Sequence, residues 1–365
     1  MNISYKFRLY PNRDQEILIL KTFGCVRFIY NKMLEDKIEH YKETKNLIKT
    51  SPAKYKEEFT WLKEVDAVAL CNAQLNLEAA YKRFFNKPDA GFPKFKSKKQ
   101  SKSSYTTNNT ADGTSIRIAD SKIRLPKLGF VKLKLHRDIP KNSRIKSVTI
   151  SKSSSNKYYA SILLDIDFKP LSKDLDKSKA LGLDYSSSSF YVDSQNNKAD
   201  YPKFYRNAQD KLAREQRKLS KMIKGSHNYE KQKLKISKIH EHIFNQRNDF
   251  IHKLSHELSN SYDIICVEDI NLRAISQALH LGKSTLDNSF GRFRTFLEYK
   301  LTNQGKKLIK IDKWFPSSKM CRFCGSVNSD LKLSDRTWKC DCGAVLDRDH
   351  NAAINILNQG LLLVD

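Results

Sequence analysis

No stretch of this sequence is apolar for long enough to span a bilayer. The residues after Met1 (Asn2-Ile3-Ser4-Tyr5-Lys6) contain no apolar core of a secretory leader. No internal repeat is present, and no amphipathic basic helix lies beside a lipidation signal, so a membrane surface ranks far below other partners. These absences predict a cytoplasmic, nucleoid-associated protein with no membrane partner. Negative charge is in short supply: 40 Asp+Glu face 67 Lys+Arg, a formal net charge of +27. A compact chain with that charge repels itself unless a polyanion is present, and nucleic acid is the polyanion that fits. Apolar residues make up 39% of the 365, enough to bury a core and exclude wholesale disorder. The length predicts two or three domains.

Residues 3–9 alternate cleanly, with Ile3, Tyr5, Phe7 and Leu9 apolar, which predicts a half-buried strand closed by Pro11. Residues 13–45 carry helical spacing through Ile17, Leu20, Phe23 and Val26. Residues 63–86 carry it through Val65, Val68, Leu70, Leu75 and Ala79, with Asp66 or a neighbour as cap. From Lys87 to Lys102 the chain turns Lys-, Ser-, Pro- and Gly-rich, punctuated by Phe92, Phe95 and then Tyr105. Two readings stay open there: a base-stacking, backbone-tracking segment, or a solvated linker whose aromatics dock on the core. Short strands follow at Ser115–Ile118, Ile123–Leu125, Val131–Leu135, Ile145–Ser151 and Tyr158–Asp165. They predict a small β-barrel that strand 3–9 completes, with the helices inserted between its first and second strands.

A second block begins near Lys177. Ala180–Leu183 runs into Asp184, and Ser186–Val192 reads as a further strand. Residues 204–260 are helical and basic, with 13 Lys/Arg against five Asp/Glu from Arg206 to Lys253. The break at Gly225-Ser226-His227-Asn228 predicts an antiparallel helical pair. Ile264–Val267 is the continuous apolar run of a buried parallel strand. A helix over 289–304 and a strand over Lys307–Ile311 complete an α/β layer pattern.

Three acids share one property: Asp184 and Glu268 each end a core strand, and Asp349 opens a helix. Strand ends of an α/β sheet converge on one edge. Singly, each acid has the ordinary reading of a turn residue or helix cap. Together, three carboxylates repel one another, and bound Mg²⁺ or Mn²⁺ would relieve that repulsion. A metal pair at such a site stabilises the attacking and leaving oxygens of a displacement on phosphorus. Asp347 competes with Asp349 for the third position; Asp349 is favoured as ligand and Asp347 as a supporting cap.

Seven cysteines in a reducing compartment argue for metal binding or buried thiols. Cys321-Arg322-Phe323-Cys324-Gly325 is followed, with 15 residues between Cys324 and Cys340, by Cys340-Asp341-Cys342-Gly343. Four thiolates so spaced predict a structural Zn²⁺ ribbon with no open coordination position. The second pair is one residue shorter than the usual C-x-x-C. Cys25, Cys71 and Cys266 lie in apolar runs and read as core packing.

Several segments together resemble the TnpB family, transposon-encoded RNA-guided nucleases related to type V CRISPR effectors. They are Tyr5-Lys6-Phe7-Arg8-Leu9-Tyr10-Pro11, Gly91-Phe92-Pro93-Lys94-Phe95-Lys96-Ser97-Lys98-Lys99, Val267-Glu268-Asp269-Ile270-Asn271, Phe315-Pro316-Ser317-Ser318-Lys319, Leu333-Ser334-Asp335-Arg336-Thr337-Trp338 and Asp347-Arg348-Asp349-His350-Asn351-Ala352-Ala353. The resemblance spans nearly the whole chain. It implies a β-barrel (wedge-like) domain at 1–10 and 103–172, and a helical recognition insertion with a basic linker at 11–102. It further implies a RuvC-like (RNase H-type) nuclease domain at 173–315 and 344–365, interrupted by a zinc ribbon at 316–343. Under it Asp184, Glu268 and Asp349 are the catalytic acids, and Arg336 reaches toward the scissile phosphate. The implied partners are a guide RNA and a double-stranded DNA target read beside a short transposon-adjacent motif; a monomer is expected. The sequence departs from the pattern at Tyr185-Ser186-Ser187-Ser188-Ser189, next to Asp184. Retention of all three acids favours cleavage over a nuclease-inactive guided repressor; an RNA-independent transposase or resolvase, which would use the same metal chemistry, is separated by its indifference to RNase.

Overall fold

The structure, a computed structural model, describes residues 1–99, 102–167, 174–186, 189–271, 287, 289–332 and 334–364. Ser187, Ser188 and Leu333, singled out above, lie outside the described residues, as does the expected boundary at 172–173. The chain forms two compact units, Met1–Lys169 and Pro170–Asp365.

The first unit opens with β1 (Asn2–Tyr10), whose alternation buries Phe7 and Leu9 completely. Asn12 then starts α1 (Arg13–Thr44): its side chain accepts from the Gln15 N–H while the Gln15 side chain accepts from the Asn12 N–H. A short helix, α2 (Pro52–Glu58), and a single 3₁₀ turn lead into α3 (Ala67–Asn86). Asp66 caps α3, accepting from Val68 N–H at 2.9 Å. Then come β2 (Ser104–Asn108), β3 (Arg117–Ala119), β4 (Lys122–Leu125), β5 (Gly129–Lys134), β6 (Arg144–Lys152) and β7 (Tyr158–Asp165). They form one antiparallel sheet in the order β2-β6-β7-β1-β5-β4-β3. β1 lies at its centre, with Phe7 opposite Ala160 and Leu9 opposite Leu133. The expected barrel is thus a curled sheet: among the described residues no ladder joins the edge strands β2 and β3.

Helix rotation departs from the apolar spacing. Ile17, Leu20 and Leu75 are exposed, whereas Ile19, Phe23, Ile29, Met33, Leu70 and Leu77 fill the core. Tyr105 belongs to β2 and is buried in that core, so it has no part in a stacking segment. Lys96 does dock: its ammonium sits 3.7 Å from the Tyr30 ring centroid, and Asn31 brackets its backbone. Phe92 and Phe95 stay exposed.

The second unit contains β8 (Ala180–Tyr185), β9 (Tyr191–Asp193), α4 (Phe204–Ser220), α5 (His227–Ser261), β10 (Ile264–Glu268), α6 (Phe290–Asn303), β11 (Lys307–Ile311), β12 (Thr337–Lys339), β13 (Val345–Asp347) and α7 (Arg348–Leu361). Its main sheet has the order β11-β10-β8-β9. β10 is central and parallel to both neighbours, and β9 runs antiparallel to β8. Both faces of β10 are covered, which is why its apolar run is unbroken. Ile265 and Val267 meet Phe290, Phe293, Leu297 and Leu301, while Ile264 and Cys266 meet Ile356 and Val364. Gly225, with φ +87°, turns the chain between α4 and α5, and Ser226 caps α5. Among the described residues no helix is long and apolar enough to cross a membrane.

Candidate active site and cysteine cluster

Three elements of the second unit deliver the predicted acids. Asp184 lies near the end of β8, Glu268 ends β10, and Asp349 sits in the first turn of α7. β8 and β10 are paired neighbours, with Val267 opposite Leu183, so the first two acids leave one sheet edge together. α7 packs on β8 through Gly182. A side chain there would press on Ala353 O and come within 2.8 Å of Leu357 N.

Asp184 keeps partial solvent access, yet its carboxyl is set deep among protein atoms. That burial, and then the charges of Glu268 and Asp349, push its pKa well above the carboxylate range, with Arg348 pulling the other way. Burial also raises Glu268, opposed by the Ser317 hydroxyl, which donates to Glu268 Oε1 at 2.5 Å. Asp349 answers to two cations. Arg348 donates to its Oδ1 from Nε at 2.9 Å and from a terminal nitrogen at 2.8 Å; Arg336 donates to its Oδ2 at 3.1 Å. Asp347 is the cap of α7, accepting from the His350 N–H at 2.9 Å.

Sequence reasoning missed the residues that hold this frame. Asn351 and Asn355, one helical turn apart and buried, both donate to Met320 O at 2.7 Å; Asn355 also donates to Ser317 O at 2.8 Å. They tie the loop carrying Ser317 to the helix carrying Asp349. Two buried amides on the apolar face of a helix were the available signal, because a buried amide must find a carbonyl. Arg294 of α6 clamps the chain beyond β10, donating to Glu268 O at 3.0 Å and Ile270 O at 3.3 Å. Tyr185 turns away into the core, its ring 4.8 Å from Phe290, so this departure from the family pattern fills apolar space.

The four predicted cysteines come together. Among the described residues, Cys321, Cys324, Cys340 and Cys342 are the one set of three or more His, Cys, Asp or Glu whose ligand atoms all lie within 4.8 Å of one another. Cys321 and Cys342 are 3.8 Å apart at sulfur, and Cys324 and Cys340 are 3.5 Å apart. Sulfurs ~2.3 Å from a tetrahedral Zn²⁺ stand roughly 3.8 Å apart, so the donor set and its spacing fit that ion. The Ser326 hydroxyl and then its N–H hold the Cys324 thiol down to about 6. Cys25 and Cys266 are core thiols raised by burial to about 11 and about 12. Cys71 is exposed, contrary to the core reading, because it lies on the outer face of α3.

Residues 161–279 match a family model described as "Probable transposase", and residues 290–356 match the "Cas12f1-like, TNB domain". Residues 1–46 match a "Helix-turn-helix domain", although here they form a strand and one long helix. A Streptomyces pristinaespiralis protein named "Putative RNA-guided DNA endonuclease" is 34% identical over 366 residues, 98% of this chain and 89% of its own. The chain belongs to the TnpB family. Escherichia coli (strain K12) InsQ, with the same descriptive name, is 29% identical over 381 residues, covering 98% of this TnpB chain and 92% of InsQ. A TnpB-like protein, L79 of Acanthamoeba polyphaga mimivirus, is 33% identical over 156 residues, 40% of this chain and 29% of L79. The mixed α/β fold is similar to that of Cas12f1, solved as a complex with sgRNA and target DNA. The TM-score is 0.62 at 14% identity, covering 98% of this chain and 99% of that one.

Proposed function

We propose that this TnpB-family protein is the RNA-guided DNA endonuclease of an insertion-sequence element, cutting target DNA beside a short transposon-adjacent motif. The observation that carries the reading is the Asp184 carboxyl at the end of β8, destabilised as an anion by burial and then by the charges of Glu268, at the end of β10, and Asp349, in the first turn of α7. Such mutual repulsion is what a divalent-cation site for phosphodiester hydrolysis requires of its ligands. In this reading Asp184, Glu268 and Asp349 hold Mg²⁺ or Mn²⁺, which when bound activates the attacking water and stabilises the leaving oxygen. Ser317 orients Glu268 through its hydroxyl. Arg336, exposed and already at Asp349, has the reach to turn to a phosphate oxygen.

The Cys321, Cys324, Cys340 and Cys342 set is assigned to structural Zn²⁺. The second unit is read as a RuvC-like domain with a ribbon at 316–343. In the first, sheet and helices are read as the wedge-like and recognition parts that grip guide RNA and duplex DNA. Base pairing supplies the sequence specificity, while the protein's charge of +27 holds phosphates. The protein acts as a monomer in the cytoplasm, at the nucleoid.

The test is purification of the chain expressed with its flanking DNA, sequencing of the RNA that accompanies it, and cleavage of a plasmid matching that RNA's 3′ segment. One dominant RNA and Mg²⁺-dependent cutting, reduced at least about 10²-fold by Glu268→Gln with DNA binding retained, is the expected result. Random host RNA, or cutting unchanged by Glu268→Gln, overturns it.

A further inference from the structure

Trp314 is 80% exposed on the loop that follows β11. The other two tryptophans are sheltered: Trp338 is 8% exposed, and Trp61 packs against Phe28 and Phe59. An indole left in water on a flexible tip is unremarkable, but this tip is fixed. The Trp314 N–H donates to Asp312 Oδ1 at 2.7 Å, the Phe315 N–H to Asp312 O at 3.2 Å, and the Ser317 N–H to Phe315 O at 2.8 Å. Phe315 itself packs on the core beneath α7. Three residues beyond Trp314, Ser317 bonds Glu268. The Lys313 ammonium lies 4.9 Å from the Trp314 ring centroid, over one face of the ring. A second exposed aromatic–cation pair follows on the cysteine knuckle: Phe323, 67% exposed, under Arg322. The Arg322 N–H donates to Asn351 Oδ1, two residues past Asp349.

Each ring is therefore tied to an element that carries one of the acids, and each carries a cation of its own. We infer that Trp314, with Phe323 on the cysteine knuckle, is a stacking post for an unpaired nucleobase of the strand led to the acidic site. An open aromatic face takes any base, and a neighbouring cation takes the phosphate between two bases. Lys313 and Arg322 provide that charge. A cation on each ring and a formal charge of +27 favour a polyanion, so a nucleic-acid strand is the occupant. The cleavage role of this post rests on the proposed nuclease function; the stacking itself does not.

The experiment uses the full chain with its co-purified RNA and Glu268→Gln to keep the strand intact. Trp314 emission is taken as the difference between this protein and its Trp314→Phe form. Single-stranded DNA is titrated in, alongside the same oligonucleotide made abasic. Quenching by the base-bearing strand alone is expected. Trp314→Ala should weaken binding roughly 5- to 100-fold, Trp314→Phe should largely retain it, and melting should be unchanged in both. Emission that rises on RNase digestion, with no response to DNA, assigns the base to the RNA strand instead. Equal quenching by the abasic strand, or no Trp314-dependent change in either arm, overturns the inference. So does concentration-dependent self-association that Trp314→Ala abolishes, because the post would then be a protein interface. Cutting without a Trp314-dependent quench removes the post and leaves the nuclease; a quench without cutting does the reverse.

Discussion

Gly182→Ala tests whether the acidic site depends on how closely α7 lies on β8. The added methyl would press on Ala353 O and stand 2.8 Å from Leu357 N and from Leu357 Cβ. Ordinary contact begins near 3.4 Å, so helix and strand must separate by at least about 0.6 Å. Backbone atoms cannot swing aside as a lysine tip would. The cost therefore falls in the upper part of the 1–3 kcal/mol range for overpacking, about 2–3 kcal/mol. For a unit of about 200 residues this lowers Tm by roughly 4–10 °C. The functional effect should be larger, because Gly182 lies two residues before Asp184 and Ala353 four after Asp349. A misplacement approaching 1 Å in a catalytic constellation costs on the order of 10²-fold in rate. Calorimetric melting and single-turnover cleavage read the two effects. The control is Gly24→Ala in α1, where an added Cβ meets nothing within 4 Å. It should be neutral or stabilising by up to ~1 kcal/mol, as an alanine in a helix is. Gly182→Ala with native Tm and native cleavage would refute the account of how Asp184 and Asp349 are brought together.

Asp184 should make its own charge visible. Its folded pKa is raised by burial and by Glu268 and Asp349, so its contribution to stability is present at low pH and is lost as pH rises through that value. Asp184→Asn should then raise Tm at pH 8 without divalent cation, and Mg²⁺ should stabilise the native chain but not the variant; a Tm lowered by the substitution contradicts the repulsion. Glu215 behaves oppositely. Hydrogen bonds from Gln232 first, then Lys235 and Lys218, hold its carboxyl at about 2, so its contribution is complete above about 4.5 and fades as pH falls toward 2. Glu215→Gln should flatten that acid limb in unfolding measured across pH, and an unchanged limb would place the acid sensitivity elsewhere. Metal analysis should find one Zn²⁺ per chain, lost along with several degrees of Tm in Cys340→Ser; full retention of both would remove zinc from the ribbon.

Much was legible because it is encoded over a few residues. The alternation of Ile3, Tyr5, Phe7 and Leu9, the unbroken Ile264–Val267 run and the cysteine spacing each follow from a period or a turn that neighbouring residues alone decide. The ends of β8 and β10, and so the positions of Asp184 and Glu268, could be read for the same reason. Which face of a helix meets the core could not. Ile17, Leu20 and Leu75 fit the apolar spacing yet face solvent, since a helix can rotate by one position at little local cost and only the surface it packs on fixes it. Tyr105 sits beside a lysine-rich segment, yet pairing of β2 with β6 carries it inside. The bonds around the acids are likewise tertiary: Arg336 and Arg348 on Asp349, Ser317 on Glu268, and Asn351 and Asn355 on the Met320 carbonyl. The sequence by itself determined the elements and which of them end in an acid or a thiol. Only the order β11-β10-β8-β9, and the seat of α7 against Gly182, decided that acids far apart in the chain would feel one another's charge. Sheet order is set by the sum of many non-local contacts, and no short window of residues contains them.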